Sequence, residues 1–392
     1  MADVLQTTFG DSLLSDLLDD YIDKLPSPEA LKFKVLVKNK KIGTLKETHE
    51  RHGFNKHGKV EELEEEEEQE QEEEEEVKEI ESYDNFLTRL NQETEMEEKK
   101  TLPITLFKKK KVRKIRISLA LSDLVIYTKA EKFKSFQYSR LYQQFNENNS
   151  IGETQARKLS KTRAYEFIFH TKNFITRIYP KATRADSSNF NPQEFWNIGC
   201  QMEYLKQNNR WLDFMALNFQ TPGLPMDLQN GKFLDNGGCG YILKPHFLRD
   251  AKSNFNPSKI RDSNPLTLTM RLISGIQLPL GNSSSNKIDT LVIVEVFGVP
   301  NDHMKQQTRV VKKNAFSPRW NETFTFIIQV PELALIRFVV ENQGLLTGNE
   351  FLGQYTLPVL CMDKGYRRIP LCSKTGESLE PASLFVYVWY IR

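Results

Sequence analysis

Residues 61–76 read EELEEEEEQEQEEEEE, thirteen glutamates around a single leucine. A run like this cannot bury enough apolar surface to offset the entropy of ordering it. It therefore divides the chain, and every packed element must lie on one side of it or the other. From 46 to 116 the sequence reads as a charged, disordered linker. The block also masks the character of the rest. The chain holds 54 basic and 52 acidic residues for a net charge of +2, yet outside the block the 54 face only 39 acids. A basic chain with one acidic insert suits an anionic partner: nucleic acid, a phosphorylated ligand or a membrane surface.

The linker closes on KKKKVRKIR, where Lys108, Lys109, Lys110, Lys111, Arg113, Lys114 and Arg116 make seven of nine residues basic. Nucleic acid, an anionic leaflet, the acidic block and plain solvent all stay open as its surroundings. Single-stranded nucleic acid calls for interleaved aromatics, and only Phe107 is adjacent. Near anionic lipid each Lys or Arg contributes about 1 kcal/mol. No apolar run approaches the ~20 residues of a spanning helix. The opening MADVLQTTFGDSLL lacks the basic-then-apolar order of a signal peptide. Cys200, Cys239, Cys361 and Cys372 are far apart with no C-x-x-C, which argues against a disulfide framework or zinc knuckle. His49, His52 and His57 cluster without acidic or Cys co-ligands, which favours a solvated loop over a metal site. The chain reads as cytosolic and soluble.

Ahead of the linker, 12–22 spaces apolar residues at i, i+3 and i+4, which predicts a helix ended by Pro26 and Pro28. Residues 32–41 alternate Phe33, Val35 and Val37 with lysines, which predicts a strand running into Lys38-Asn39-Lys40. Beyond the linker, 164–180 shows strand-like runs broken by a turn, 191–202 a helix with Pro in its first turn, and 216–221 and 241–247 short strands. This alternation suggests a parallel sheet or barrel. After residue 264 strands recur at 266–272, 291–298, 324–330, 336–342 and 384–391 with no helical period between them, which predicts an antiparallel β-sandwich.

Lys38 and Lys40 are two apart and share a face if extended, as do Arg177 and Tyr179. Parallel α/β barrels bind ligands at the C-terminal ends of their strands. Two such ends carrying lysines, an arginine and a phenol would suit phosphate groups. The alternative is solvated strand-end charges beside a packed tyrosine.

Five segments then carry a resemblance: LPSPEALKFKVLVKNKK (25–41), RIYPKATRADSSNFNPQEFWNIGCQM (177–202), ALNFQTPG (216–223), DNGGCGYILKPHFLRD (235–250) and FSPRWNETFTFIIQVPELALIRFVVEN (316–342). They resemble the phosphoinositide-specific phospholipases C, most closely the small sperm-type branch. The resemblance implies an α/β plus all-β fold, a partial (β/α) TIM-type barrel followed by an antiparallel β-sandwich C2 domain. Residues 1–45 would end the X half, 46–116 link, 117–250 form the Y half and 258–392 the C2 domain. The implied reaction hydrolyses phosphatidylinositol 4,5-bisphosphate to diacylglycerol and inositol trisphosphate, with calcium as cofactor, and drives calcium signalling (egg activation in the sperm-type branch).

Carried over by position, Lys38 and Lys40 match lysines on the ring phosphates, and Ser135, Arg177 and Tyr179 match Y-half residues that hold the headgroup. The family's catalytic histidines and the calcium-holding Asn, Glu and Asp belong to X-half sequence upstream of the segment with which this chain begins. No residue here takes a catalytic role, and little turnover is expected of the chain alone. Residues 203–214 interrupt a passage that the family keeps continuous. In the C2 domain Asp289 and Asn314 match calcium positions, but Asn342 and Gly344 replace aspartates, which implies weak calcium binding. Phosphoinositide lipids and an anionic membrane are the implied partners, with peripheral attachment from the cytoplasm and a nuclear or perinuclear site left open; nucleic acid is not expected. The alternative is a non-catalytic phosphoinositide-binding protein. A barrel short of strands should expose an edge, beside a sandwich stable enough to survive proteolysis as a fragment starting near residue 258.

Overall fold

The computed structural model describes residues 1–54, 118–181, 183–184, 186–200, 217–250, 252–260, 264–281, 288–344 and 348–392. The acidic block, the basic run 108–116, His57 and the 203–214 segment lie outside them. The chain opens on α1 (Ala2–Phe9). The helix predicted over 12–22 does not form. Leu13 bridges Val35 in parallel, with Leu14 N–H donating to the Val35 carbonyl and Val35 N–H to that of Ser12. Backbone groups committed to a neighbouring strand cannot close helical rings, and only 3-10 turns remain at Gly10–Ser12 and Asp19–Tyr21. The strand predicted from residue 32 also starts late. Residues 27–34 turn, and Phe33 sits at φ 61 with its ring 90% exposed. It therefore does not join Val35 and Val37, which pack against Leu13 and Leu124. Pairing resumes at Asn39, which bridges Lys129 in parallel, before α2 (Leu45–Phe54).

Next come α3 (Leu119–Asp123), β1 (Lys129–Lys132), α4 (Phe136–Leu141), β2 (Glu147–Gly152), α5 (Glu153–Thr162), α6 (Ala164–Asn173), β3 (Thr176–Tyr179), α7 (Gln193–Trp196), α8 (Leu224–Lys232) and α9 (His246–Arg249). Strands β1, β2 and β3 pair in parallel in that order, and the Asn39 bridge places the 35–40 segment beside β1. Parallel strands with helices between them form an arc of an α/β barrel. Most of the strand reading over 164–180 gives way to helix. Ala164, Phe167, Ile168 and Thr171 repeat at i, i+3, i+4 and i+7 and are all buried, so only 176–179 is strand. Residues 217–221 form a turn instead of a strand, because Asn189 and Asn218 bond its backbone. Residues 241–245 run without regular pairing into α9, and buried Lys244 donates to the Thr171 carbonyl at 2.9 Å.

The remainder is β4 (Leu266–Ile276), β5 (Thr290–Phe297), β6 (Met304–Gln307), β7 (Arg319–Ile328), β8 (Leu335–Asn342), β9 (Glu350–Pro358), β10 (Gly365–Cys372) and β11 (Ser378–Ile391). All pairs are antiparallel in the order β6-β5-β8-β9-β10-β11-β4-β7. β9 and β10 meet only at Cys372 and Gln354, and there the sheet folds into a sandwich. Leu268, Met270 and Leu272 from one layer share a core with Val294, Ile336 and Phe338 from the other.

The sandwich is not separate from the barrel arc. Phe190, Phe195 and Trp196 share one buried cluster with Phe297, Val330, Leu333 and Leu335. Gln193 Nε2 donates to the Leu333 carbonyl at 2.9 Å and Asn197 Nδ2 to that of Gly298 at 2.8 Å. Arg337 on β8 donates to Asp227 on α8 at 2.8 Å and to Glu295 on β5 at 2.7 Å. Burial pushes the Asp227 carboxyl up to about 6 against the pull of Arg337.

Candidate functional site

The register of the parallel sheet brings the sequence-predicted cations onto one face. In β3, Thr176 and Ile178 point into the core while Arg177 and Tyr179 are exposed. Ser150 lies opposite Arg177 and Gly152 opposite Tyr179. One strand further, Lys132 lies opposite Ser150 and Ala130 opposite Asn148. The Asn39–Lys129 bridge then sets Lys40 beside Ala130 and Lys38 beside Thr128. Directly opposite residues share a face, so Lys38, Lys40, Arg177 and Tyr179 belong to one surface. Partial burial of the Lys38 ammonium, and then the charge of Arg177, lower its pKa. That coupling shows the two cations feel each other. Among the described residues, neither Lys38, Lys40 nor Arg177 has a side-chain hydrogen bond or ion pair. The contrast with the reverse face of β1 is direct, for there Lys129 is held by Glu131 at 3.0 Å and Glu147 at 3.1 Å.

Tyr179 is 43% exposed and lies across the end of β2, where a Cβ on Gly152 would meet its hydroxyl at 3.3 Å. The next residue, Glu153, has a fully buried side chain. Its carboxylate accepts from Arg184 at 2.7 and 2.8 Å and pairs with Arg157 at 3.2 Å. The Arg184 bonds hold it down to about 2. This buried cluster anchors the turn just past Tyr179, and Asp186 in that turn bonds Ser188 N. Ser135 is half-buried beyond β1, where its hydroxyl caps α4 by accepting from Tyr138 N–H at 3.0 Å. The structure therefore gives Ser135 a local duty and leaves its own O–H to donate. Sequence reasoning missed Lys132, Ser150 and Gly152. KAEK has no apolar alternation to mark it as a strand, and its face is set by register with β2.

The candidate calcium positions of the sandwich come close together. Asp289 Oδ1 accepts from Lys313 N at 2.9 Å, Asn314 Oδ1 accepts from Ser317 N at 3.0 Å, and Asn342 Oδ1 accepts from Asp289 N at 3.0 Å. Calcium asks for six to eight oxygens with carboxylates prominent. Here one aspartate and two amides already serve the loop backbone, and no group of three or more His, Cys, Asp and Glu suits a metal among the described residues. His49 bonds Asp16 at 3.2 Å. His170 is wholly buried among Phe133, Phe136, Phe167 and Phe174 with neither ring nitrogen bonded, and burial pushes it down to about 3.

Comparison with known proteins matches this arrangement segment by segment. Residues 1–41 match the phosphatidylinositol-specific phospholipase C X domain, 121–247 its Y domain, and 266–370 the C2 domain. Over its whole length the chain is 78% identical to a 1-phosphatidylinositol 4,5-bisphosphate phosphodiesterase zeta-1 of Macaca fascicularis, covering 60% of that protein. It is 73% identical to the zeta-1 protein of Homo sapiens, covering 57% of it. The chain thus spans about 60% of the length of such relatives. Among solved structures, S. officinalis PLC21 superposes with a TM-score of 0.71 at 28% identity, over 99% of this chain and 42% of that one. C2 and phospholipase C families are calcium-associated and bind phosphoinositide membranes in general. With the X, Y and C2 matches in series on a barrel arc and a sandwich, the chain belongs to the phosphoinositide-specific phospholipase C family, on its zeta branch.

Proposed function

We propose that this chain binds the phosphorylated headgroup of phosphatidylinositol 4,5-bisphosphate on the sheet face of Lys38, Lys40, Arg177 and Tyr179. The reaction of the whole protein would be hydrolysis of that lipid to diacylglycerol and inositol trisphosphate. The observation that carries the reading is one face with three cations and no carboxylate partner among the described residues. Like charges gathered this way repel, and the arrangement is favourable only once an anion joins it. Arg177 offers a planar fork that suits phosphate oxygens, the lysines offer point charges, and the Tyr179 hydroxyl would donate, as would the Ser135 O–H that the resemblance implies. Phosphodiester cleavage also needs groups that move protons, and no histidine among the described residues lies on this face. By itself the chain is therefore proposed to bind with little turnover.

Residues 1–45, 46–116, 117–250 and 258–392 are proposed as the end of the X half, the linker, the Y half and the C2 domain. No described helix is long and apolar enough to cross a membrane, and attachment is proposed to be peripheral, from the cytoplasm. Lys108–Lys111, Arg113, Lys114 and Arg116 would draw the linker to an anionic leaflet, weakened by salt. With poor calcium ligands in the sandwich, that attachment would not depend on calcium there. A hydrolysis assay on vesicles containing phosphatidylinositol 4,5-bisphosphate tests the reading, with a longer zeta relative as control. Vesicle binding with slow release of inositol trisphosphate is expected, whereas robust calcium-dependent release by this chain would contradict the assigned division of labour.

A further inference from the structure

The barrel arc packs on the β8–β9 side of the sandwich. The outer face of the other layer, formed by β10, β11, β4 and β7 in that order, is open to solvent and rich in aromatic rings. Along β11, Phe385, Tyr387 and Trp389 recur at every second residue and so share that face, and Tyr366 on β10 lies opposite Tyr387. Tyr366 is 62% exposed and Tyr387 36%. The rings form a continuous line. Tyr366 is 5.6 Å from Phe385 in a stacked pair and 4.8 Å from Tyr387, which is 5.5 Å from Trp389. Arginines flank this line. Tyr387 lies opposite Arg271 on β4. Phe385 lies between Arg368 on β10 and Ser274 on β4, and Ser274 lies opposite Arg319 on β7. All three arginines are exposed. Arg271 Nε donates to Asn321 at 2.7 Å and Arg368 meets Glu380 at 3.5 Å, whereas no side-chain hydrogen bond or ion pair engages Arg319 among the described residues. No outward residue in the paired rows that carry the rings is Asp or Glu.

We propose that this face of the sandwich binds single-stranded nucleic acid, with bases stacked on Tyr366, Tyr387 and Trp389 and backbone phosphates held by Arg271, Arg319 and Arg368. Every base has a π-face, so a line of closely spaced rings accepts a strand without reading its sequence. Guanidinium groups on the flanking strands pair with phosphate oxygens. The face joins in one place the rings and cations that residues 108–116 do not combine. Its charge and shape argue against other occupants. A second copy of the chain would bring arginines against arginines, and an acidic peptide would leave the rings without stacking partners. A lipid leaflet rewards apolar side chains that project into it, whereas these rings lie along the sheet against one another.

The test follows the fluorescence anisotropy of a labelled oligouridylate of ~12 nucleotides titrated with the full chain, beside an abasic strand of equal length and charge. The basic run 108–116 draws any polyanion, so the face is read from the difference between the two strands. The parent should bind oligouridylate about tenfold more tightly than the abasic strand. Y366A and Y387A should each remove most of that difference, and Y387F, which keeps the ring, should retain it. R319Q should weaken both strands and lower the slope of log affinity against log salt by about 0.7. Y165A, at an exposed ring on α6, should change nothing. Circular dichroism melts check the fold, and R319Q, outside the line of rings, keeps the test decisive if Y387A unfolds. Equal binding of the two strands by the parent overturns the proposal, as does parent-like discrimination by Y366A and Y387A. A Y387A loss seen only on phosphatidylcholine–phosphatidylserine vesicles, on a glutamate peptide or in self-association by sedimentation also overturns it, because the face then serves that partner instead.

Discussion

Single residues carry the clearest marks of function and of cost. Lys38 keeps an exposed position although its surroundings and Arg177 lower its pKa, a penalty that packing alone does not reward. His170 is the opposite case: buried, polar and bonded to nothing. An unsatisfied buried polar group costs about 1–3 kcal/mol, and the aromatic cage offers no acceptor in return. His170→Leu, of similar volume, should therefore stabilise the fold by about 1 kcal/mol. The pH dependence has a definite sign. With the folded ring titrating at about 3 and the free ring at 6.5, the unfolded chain takes up a proton first as pH falls, so stability is lost between 6.5 and 3. Thermal unfolding across that range should show a shallower acid decline in His170→Leu, and an unchanged slope would contradict the assignment.

At the scale of elements, the barrel arc depends on the residues immediately beyond each strand. Glu153 opens α5 directly after β2 and ties down the turn after β3 through Arg184. Glu153→Gln would leave Arg184 facing a neutral amide in a buried site, at a cost of about 3–5 kcal/mol. The native carboxylate contributes fully above its ordinary value of 4.5, and that contribution fades as pH falls towards about 2. Denaturant unfolding at neutral and acidic pH should show the variant's deficit shrinking in acid. Legibility in the sequence tracks length and partnership. β4 and β7 alternate buried with more exposed residues along most of their length, and β5, β8 and β11 carry apolar-rich runs in strands of eight residues or more, so pattern alone exposes them. β1 has four polar-rich residues, and the 35–40 segment is strand-like only through its neighbours. α6 was hidden because its apolar residues sit in adjacent pairs that mimic a buried strand. Of the site, the i, i+2 pairs Lys38/Lys40 and Arg177/Tyr179 are legible, whereas Lys132 joins them only through register.

At the scale of the molecule, barrel arc and sandwich share a core, contrary to a sandwich that stands by itself. Phe195 and Trp196 are wholly buried beside Leu333 and Leu335, and Arg337 bridges the two with both of its carboxylate partners largely buried. Arg337→Ala would strand Asp227 and Glu295, at a cost of about 3–5 kcal/mol. The described parts of 118–392 should resist limited proteolysis together, and a stable fragment beginning near residue 258 would contradict the shared core. Pairing of both β1 and β3 with β2 holds those strands in register and so keeps the cations on one face. The central claim is that this face binds a phosphorylated inositol ring. Calorimetric titration of the full chain with inositol trisphosphate, beside the triple variant K38Q/K40Q/R177Q, tests it most directly. Affinity should fall at least about a hundredfold with the melting temperature unchanged or raised, because the repelling charges are gone; a triple variant that binds as tightly as the parent would contradict the account.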